Sequence, residues 1–177
     1  AALAARAAAA DVAIVRCDTP EDVAANVDVL VCATDTQTPV FDGAALGRGQ
    51  LVVSLGANTP ATRELDAATM RAGRIFADSR AAVLAECGEI LIPQREGLLA
   101  ADPIAAELGE VLNGAQPGRL SETETLVFLS TGLAVQDALT AQRIYRRAIA
   151  AGIGTRAGLF DAAPDNANKG DHRHASP

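Results

Sequence analysis

The chain has 177 residues, of which 49% are hydrophobic, so it can bury a core and is not intrinsically disordered. Fifteen Lys and Arg against 22 Asp and Glu give a net charge of -7, which argues against a nucleic-acid partner because phosphate binding needs a basic surface. No apolar run reaches the roughly 18 residues of a membrane span, so we expect no membrane partner.

The chain opens with an alanine-rich segment, residues 1–10, that resembles a signal peptide in composition only. Arg6 and Asp11 interrupt the apolar run, and no positively charged region precedes it, so we expect the end of a helix instead. Because no initiator Met is present, we interpret the sequence as a fragment of a longer protein.

The three cysteines are odd in number and have no C-x-x-C spacing. Cys17 and Cys32 fall in apolar runs that we expect to be buried strands, and Cys87 lies further along. This pattern predicts reduced thiols in a cytoplasmic protein, with neither disulfides nor a metal site.

Short apolar runs rich in β-branched residues recur between turn-forming residues. Nearly continuous apolarity is typical of parallel strands that are covered on both faces. The predicted strands are 11–17, 27–34, 50–56, 73–79 and 125–131.

Helical patterns separate the predicted strands. One helix begins at Thr19 as its N-cap, a second runs from Asp66 to Gly73, and a third has its cap at Asp102 and ends at Gly114. Strands that alternate with helices predict an α/β protein with a doubly wound parallel sheet.

A long helix from about Leu133 to Ala151 precedes a change in composition. Residues 156–177 contain almost nothing to bury, which predicts a disordered tail. His172 and His174 in this tail are interpreted as solvated side chains, with metal binding as the alternative.

Three of the predicted strands end in small or polar residues. Because the carboxyl ends of parallel strands meet at one edge of a sheet, these residues predict a pocket whose floor admits a flat ligand. The alternative is that Gly and Thr only terminate the strands. The three segments are Ala33-Thr34-Asp35, Gly56-Ala57-Asn58 and Ser130-Thr131-Gly132.

Five segments in this order resemble the ornithine cyclodeaminase and mu-crystallin family of NAD(P)-dependent enzymes. The usual G-x-G-x-x-G turn between the first strand and first helix is not in this sequence, which agrees with a Rossmann domain that begins upstream. The matching segments are "ATDTQTPVFDG" (33–43), "SLGANTPATRELD" (54–66), "FADSRAAVLAECGEI" (76–90), "ELGEVLNGAQPGR" (107–119) and "VFLSTGLAVQDALTAQRIY" (127–145).

The resemblance implies a domain organisation. Residues 1–132 would form part of a Rossmann NAD(P)-binding domain, and 133–155 a C-terminal helix that returns to a substrate and dimerisation domain. The full-length protein would be a homodimer that binds NAD or NADP and a small amino or imino acid.

The resemblance also implies roles for single residues. Asp78 could be mistaken for a catalytic acid, but its position before "SRAAVLAE" favours a helix cap, and Glu64 is interpreted as an early-helix acid with a structural role. The implied cofactor contacts are Thr34, Gly56, Ala57, Asn58, Arg63 and Thr131, and the implied substrate contacts are Asn58 and Gly132.

Asn58 departs from the pattern of true ornithine cyclodeaminases, which resemble one another in having an aspartate at this position. An amide orients a substrate but cannot carry a proton, so Asn58 suits hydride transfer to an iminium that is already protonated. The resemblance therefore favours an NAD(P)H-dependent reductase of a cyclic imino acid such as pyrroline-2-carboxylate or piperideine-2-carboxylate.

Three alternatives stay open. The protein could be an ornithine cyclodeaminase that converts L-ornithine to L-proline and ammonia, a mu-crystallin-like protein that binds NADP and a ligand without turnover, or a truncated product without function. The sequence does not fix the substrate, the choice between NAD and NADP, or the direction of the reaction.

Overall fold

The computed structural model describes residues 11–56 and 59–155, and the structural statements below concern these residues. Ala57, Asn58 and the predicted tail with its two histidines lie outside them. The chain divides into two compact units, one that ends at Gln136 and one that begins at Asp137.

A five-stranded parallel sheet forms the centre of the first unit. The order of the strands is β1-β2-β5-β3-β4, so the predicted parallel α/β sheet is confirmed as a Rossmann-like fold. The strands are β1 Val29–Cys32, β2 Leu51–Ser54, β3 Arg74–Ala77, β4 Ile104–Glu107 and β5 Leu126–Leu129.

The strands are in register at their carboxyl ends. Cys32 pairs with Ser54, Ser54 with Leu129, and Leu129 with Ala77, so four strands end in one row. The residues that follow these strands therefore lie along one edge of the sheet, as predicted.

Short helices connect the strands, and their caps follow the sequence signals. The Thr19 hydroxyl accepts a hydrogen bond from Asp22 N at 3.1 Å, and Asp66 Oδ1 accepts one from Thr69 N at 2.7 Å. The described helices are α1 Pro20–Ala25, α2 Ala67–Ala72, α3 Arg80–Glu86, α4 Gly88–Arg95, α5 Leu108–Leu112 and α6 Ala134–Ala151, with a 3₁₀ turn at Gly43–Ala45.

The helix predicted from Asp102 to Gly114 is wrong in its first half. Residues Ile104–Glu107 form β4, and only Leu108–Leu112 are helical. The Asp-Pro pair signals a helix start locally, but pairing of Ile104 with Ile75 of β3 and burial of Ile104 and Ala106 outweigh that preference.

The strand predicted at 11–17 is also absent from the described structure. None of the five strands pairs with this segment, and an apolar run without a partner for its backbone N–H groups does not form a strand. Val12, Ile14 and Val15 are 57%, 52% and 80% exposed. Cys17 is exposed too, which contradicts its predicted burial, whereas Cys32 is buried.

The core lies on one face of the sheet. Leu30, Val52 and Val127 pack there with Met70 of α2 and Val83 of α3. On the opposite face, α5 contributes to an apolar groove of about 280 Å³, and its lining residues are Leu51, Val53, Phe76, Leu108, Val111, Gly118, Leu126 and Phe128.

The prediction that both faces of every strand are covered is wrong for β1 in the described structure. Val29 and Val31 are 54% and 55% exposed, whereas Leu30 and Cys32 on the same strand are buried. The cause is that the helical residues of the core cluster come from α1 to α4 and pack on the Leu30 face.

The helix α6 is the main element of the second unit and spans Ala134–Ala151, close to the predicted 133–151. It carries several exposed apolar side chains, among them Leu139, Ile144 and Tyr145. Within the described parts of the chain, no helix combines the length and the apolarity that crossing a membrane requires. Assignment of this helix to a substrate domain stays a prediction.

Candidate functional site

A cavity of about 490 Å³ lies at the carboxyl ends of β1 and β2. Two of the residues predicted to contact a cofactor, Thr34 and Gly56, line it, and Asp35 is the one charged residue among the described residues of its lining. The lining residues are Ala33, Thr34, Asp35, Thr36, Leu55, Gly56, Thr59 and Thr62. Small and hydroxyl side chains at the end of a parallel sheet are typical of a site for a flat ligand.

Gly56 has no room for a side chain. A Cβ at this position would lie 2.0 Å from the Thr34 carbonyl oxygen and 2.6 Å from Glu64 Oε1. The ends of β1 and β2 can approach each other this closely because residue 56 is glycine. The glycine that interrupts the apolar run of β2 therefore shapes one wall of the cavity.

The Glu64 carboxylate joins the two strand ends behind this wall. Glu64 Oε1 accepts hydrogen bonds from Thr34 N at 2.5 Å and from the Thr34 hydroxyl at 2.8 Å. Glu64 Oε2 accepts from Gly56 N at 2.7 Å, Leu55 N at 3.2 Å and the Ser54 hydroxyl at 2.8 Å. The side chain is fully buried and precedes the Asp66 N-cap of α2, so the predicted position within a helix is wrong, whereas these hydrogen bonds agree with the predicted structural role.

A second buried acid, Glu89 of α4, lies behind Glu64. Glu89 Oε1 accepts a hydrogen bond from Glu64 N at 2.8 Å and is 2.9 Å from the Ser54 hydroxyl oxygen. Glu89 Oε2 accepts from the Cys87 thiol at 3.3 Å. Sequence reasoning did not identify this residue, although an acid in the apolar run "GEILIP" is a signal that could have done so.

The two acids have opposite pKa shifts. Burial would raise the pKa of Glu64, but hydrogen bonds from the Thr34 and Gly56 amides and from the Thr34 and Ser54 hydroxyls lower it below its ordinary value. Burial dominates at Glu89 and raises its pKa. Burial, with a smaller effect of the nearby acids, raises the pKa of Cys32 to about 11, so this thiol is protonated at neutral pH.

The third predicted strand end is organised by Asp78, which follows β3. Asp78 Oδ2 accepts hydrogen bonds from the Ser130 hydroxyl at 2.8 Å and from Gly132 N at 3.0 Å. The prediction that Asp78 caps a helix is wrong, because Ser79 is the N-cap of α3 and accepts from Ala82 N. Asp78 reaches the end of β5 instead because β3 and β5 are neighbours in the sheet.

Thr131 and Gly132 are not among the residues that line the 490 Å³ cavity. The Thr131 hydroxyl is buried and makes no hydrogen bond within the described structure. Gly132 has a φ of +85°, which favours glycine, and no atom lies within 4 Å of a Cβ built there.

Arg63 is directed toward another part of the surface. Its guanidinium forms an ion pair with Glu96 at 3.4 Å, and Arg63 is not a lining residue of the cavity. Its role as a cofactor contact stays a prediction, as do the roles of Ala57 and Asn58, which lie outside the described residues.

The residues at this edge fit the nicotinamide end of a dinucleotide. The small side chains and hydroxyl groups that line the cavity, Thr34 and Gly56 among them, suit a flat ring with a polar substituent. Within residues 11–56 and 59–155, no group of three or more His, Cys, Asp or Glu side chains could hold a metal ion.

Comparison with known proteins gives the same fold and a consistent set of relatives. The sequence profile of the ornithine cyclodeaminase/mu-crystallin family matches residues 1–152. A Delta(1)-pyrroline-2-carboxylate reductase of Bacillus cereus is 36% identical over 138 residues, which are 77% of this chain and 42% of the relative.

Two solved structures resemble the described fold. The Thermococcus litoralis Delta(1)-pyrroline-2-carboxylate reductase, in complex with NADH and L-proline, has a TM-score of 0.80 and 34% identity and matches 85% of this chain and 47% of that one. An archaeal alanine dehydrogenase dimer with bound NAD has a TM-score of 0.74 and 28% identity, and the match covers 90% of this chain and 49% of that one. The chain thus spans less than half the length of each of these relatives.

Proposed function

Because the chain belongs to the ornithine cyclodeaminase/mu-crystallin family, we propose that it is part of an NAD(P)H-dependent reductase of a cyclic imino acid. The substrate class is that of pyrroline-2-carboxylate or piperideine-2-carboxylate. The observation that carries the proposal is the sheet edge, where Thr34 and Gly56 line one cavity. The similar Thermococcus litoralis reductase, which holds NADH and L-proline, supports the proposal.

In this reaction the bound nicotinamide supplies a hydride to the carbon of the C=N bond. The imino nitrogen keeps the proton with which it arrived, so the product is the secondary amine of a cyclic amino acid. The site therefore has to orient the iminium and exclude water, and it needs no proton donor at residue 58.

Each residue of the sheet edge contributes to the orientation of the iminium or the cofactor. Thr34 and Gly56, whose amides are fixed by Glu64, would form the wall of the cofactor site. In this proposal Thr131 contacts the cofactor, and Gly132 N, fixed by Asp78, shapes the turn on the substrate side. Asn58 offers an amide that donates to or accepts from the imino acid, and the contact of Arg63 with the cofactor belongs to the same proposal.

The proposal extends to the whole protein. Residues 1–132 belong to the NAD(P)-binding domain, the helix within 133–155 belongs to the substrate domain, and the full-length protein is a cytoplasmic homodimer. The archaeal alanine dehydrogenase dimer supports the proposed homodimer. Homodimerisation and location are tested by sedimentation and by fractionation of the source cells.

The proposed activity is tested with the full-length product of the gene. We expect oxidation of NADH or NADPH that depends on pyrroline-2-carboxylate or piperideine-2-carboxylate. Ammonia release from L-ornithine with NAD would indicate a cyclodeaminase, and binding of cofactor and imino acid without turnover would indicate a mu-crystallin-like binding protein; either result contradicts the proposal.

Replacement of Asn58 by alanine and by aspartate tests the orienting role of this amide. The alanine variant loses one hydrogen bond to the substrate, which lowers kcat/KM by roughly tenfold. The aspartate variant introduces a titratable group, so its pH profile gains a limb that the wild type lacks. An alanine variant with the same kcat/KM as the wild type would refute a role for Asn58.

A further inference from the structure

The Ser54 hydroxyl lies between two buried carboxyl groups. Its oxygen is 2.8 Å from Glu64 Oε2 and 2.9 Å from Glu89 Oε1, and all three side chains are buried. A hydroxyl has one hydrogen and can donate to only one of these oxygens. The other contact therefore requires a proton on a carboxyl group.

The remaining hydrogen bonds decide which carboxyl group carries that proton. Both oxygens of Glu64 are occupied by donors from Thr34, Leu55 and Gly56, so a proton on Glu64 would face N–H groups. Glu89 Oε1 accepts only from Glu64 N and can still donate toward Ser54. Hydrogen counting thus places the proton on Glu89 and leaves Glu64 ionised.

The surroundings agree with one buried charge rather than two. The groups that face Glu89 are the Cys87 and Cys32 thiols and Glu64, and no basic side chain pairs with either acid in the described structure. Two adjacent carboxylates without a counter-ion repel each other, which favours protonation of the one that has fewer hydrogen bonds.

We propose that Glu64 is a positioning residue of the reductase site and that a neutral Glu89, acting through Ser54, holds it in place. The hydrogen-bonded series Glu89–Ser54–Glu64 fixes the Thr34 and Gly56 amides. It would thereby fix the position of the cavity wall next to the cofactor ring. The link to catalysis rests on the proposed function, whereas the protonation of Glu89 does not.

Substitution by glutamine separates the two acids. Glu64→Gln puts an NH₂ group against at least two donors of the strand ends, so it displaces the cavity wall. Glu89→Gln cannot provide both the acceptor for Glu64 N and the donor to Ser54, so it loses at least one hydrogen bond. Glu86→Gln is the matched control, because Glu86 is the exposed last residue of α3.

The first measurement is infrared spectroscopy of the full-length protein at neutral pH. We expect the carbonyl band of a buried carboxylic acid, which is absent in Glu89→Gln and unchanged in Glu86→Gln. In Ser54→Ala the band moves to higher wavenumber because the acid loses its partner. Absence of the band in the wild type, or its persistence in Glu89→Gln, would overturn the proton assignment.

The second measurement is steady-state kinetics with pyrroline-2-carboxylate. A displaced ring lowers kcat of Glu64→Gln by roughly tenfold to a hundredfold, with KM for the imino acid within about threefold of the wild type. Unchanged kcat would overturn the positioning role. If Glu64→Gln does not fold, Ser54→Ala takes its place, with a smaller fall in kcat expected and an unchanged kcat counting against the proposal.

The two measurements also separate failure of this proposal from failure of the proposed function. The infrared band needs no turnover, so it tests the chain of three residues even if the protein reduces no imine. A wild-type protein without reductase activity would overturn the proposed function and, with it, the positioning role of Glu64 in catalysis. The infrared band would then still test whether Glu89 carries a proton.

Discussion

Replacement of Gly56 by alanine places a methyl group where two strand ends meet. The added Cβ would be 2.0 Å from the Thr34 carbonyl oxygen and 2.6 Å from Glu64 Oε1. The first of these is a backbone atom of the neighbouring strand end, so relief of the clash requires movement of β1 away from β2. Overpacking of this kind, in which side chains and backbone must shift, costs about 1–3 kcal/mol and occasionally more.

The loss of stability is measured by urea unfolding of the full-length Gly56→Ala variant. An alanine substitution at a second glycine is the matched control. Gly109 lies in α5, and no atom is within 4 Å of a Cβ built there. Gly109→Ala should therefore stabilise the protein by about 0.5–1 kcal/mol, because alanine favours the helix. Gly56→Ala should lower the free energy of unfolding and weaken cofactor binding.

A Gly56→Ala variant as stable as the wild type would refute this reasoning. It would mean that β1 and β2 separate at no cost, and that the approach of Thr34 to Gly56 is not a constraint on the cavity. Stability retained together with lost cofactor binding would place the role of Gly56 in the ligand contact alone, and would contradict the strand-spacing argument.

Three further predictions concern acids and thiols. The lowered pKa of Glu64 gives a stability contribution that is present above its ordinary pKa of 4.5 and is lost as pH falls through the lower folded value. Urea unfolding should accordingly show that the wild type has a higher free energy of unfolding than Glu64→Gln, by a difference that shrinks in acid. A difference that stays constant with pH would contradict an ionised Glu64. Cys17 is exposed, whereas Cys87 is buried and has a raised pKa. Iodoacetamide should therefore label Cys17 in the native protein, and Cys17→Ser should abolish this labelling. Rapid labelling of Cys87 would refute its burial. Asp78→Asn replaces Oδ2, which accepts two hydrogen bonds, by a possible donor, and this should weaken NADH binding by roughly tenfold in a fluorescence titration. An unchanged affinity would show that the Gly132 turn is independent of Asp78.

The elements with strong local signals were predictable from the sequence. Continuous apolar runs predicted β1, β2, β3 and β5, and side-chain caps at Thr19 and Asp66 predicted α1 and α2. These signals work because burial and capping act on neighbouring residues. The common edge of the strand ends followed from the parallel arrangement alone.

The errors lie where partners distant in sequence decide the structure. Residues 104–107 have local helix signals but join β3 as a strand, and residues 11–17 have strand-like composition but no pairing strand in the described structure. Neither outcome is contained in a short window of sequence, because a strand exists only with its partner.

The candidate site was predicted in part for the same reason. Thr34 and Gly56 line a cavity as their positions after apolar strands suggested, but the roles of Glu64 and Asp78 depend on residues far along the chain. Asp78 contacts Ser130, which is 52 positions away, and Glu64 contacts Thr34, which is 30 positions away. A buried acid beside a strand end is a signal for such a role, but its partner is not readable from the sequence.

The central claim, hydride transfer to the carbon of an imine, is tested most directly by following the hydrogen itself. The full-length protein is incubated with pyrroline-2-carboxylate and with NADH or NADPH that carries deuterium at both C4 positions, and the product is analysed by mass spectrometry. The account predicts proline with one deuterium on its α-carbon. Proline without deuterium, or no proline at all, would contradict it.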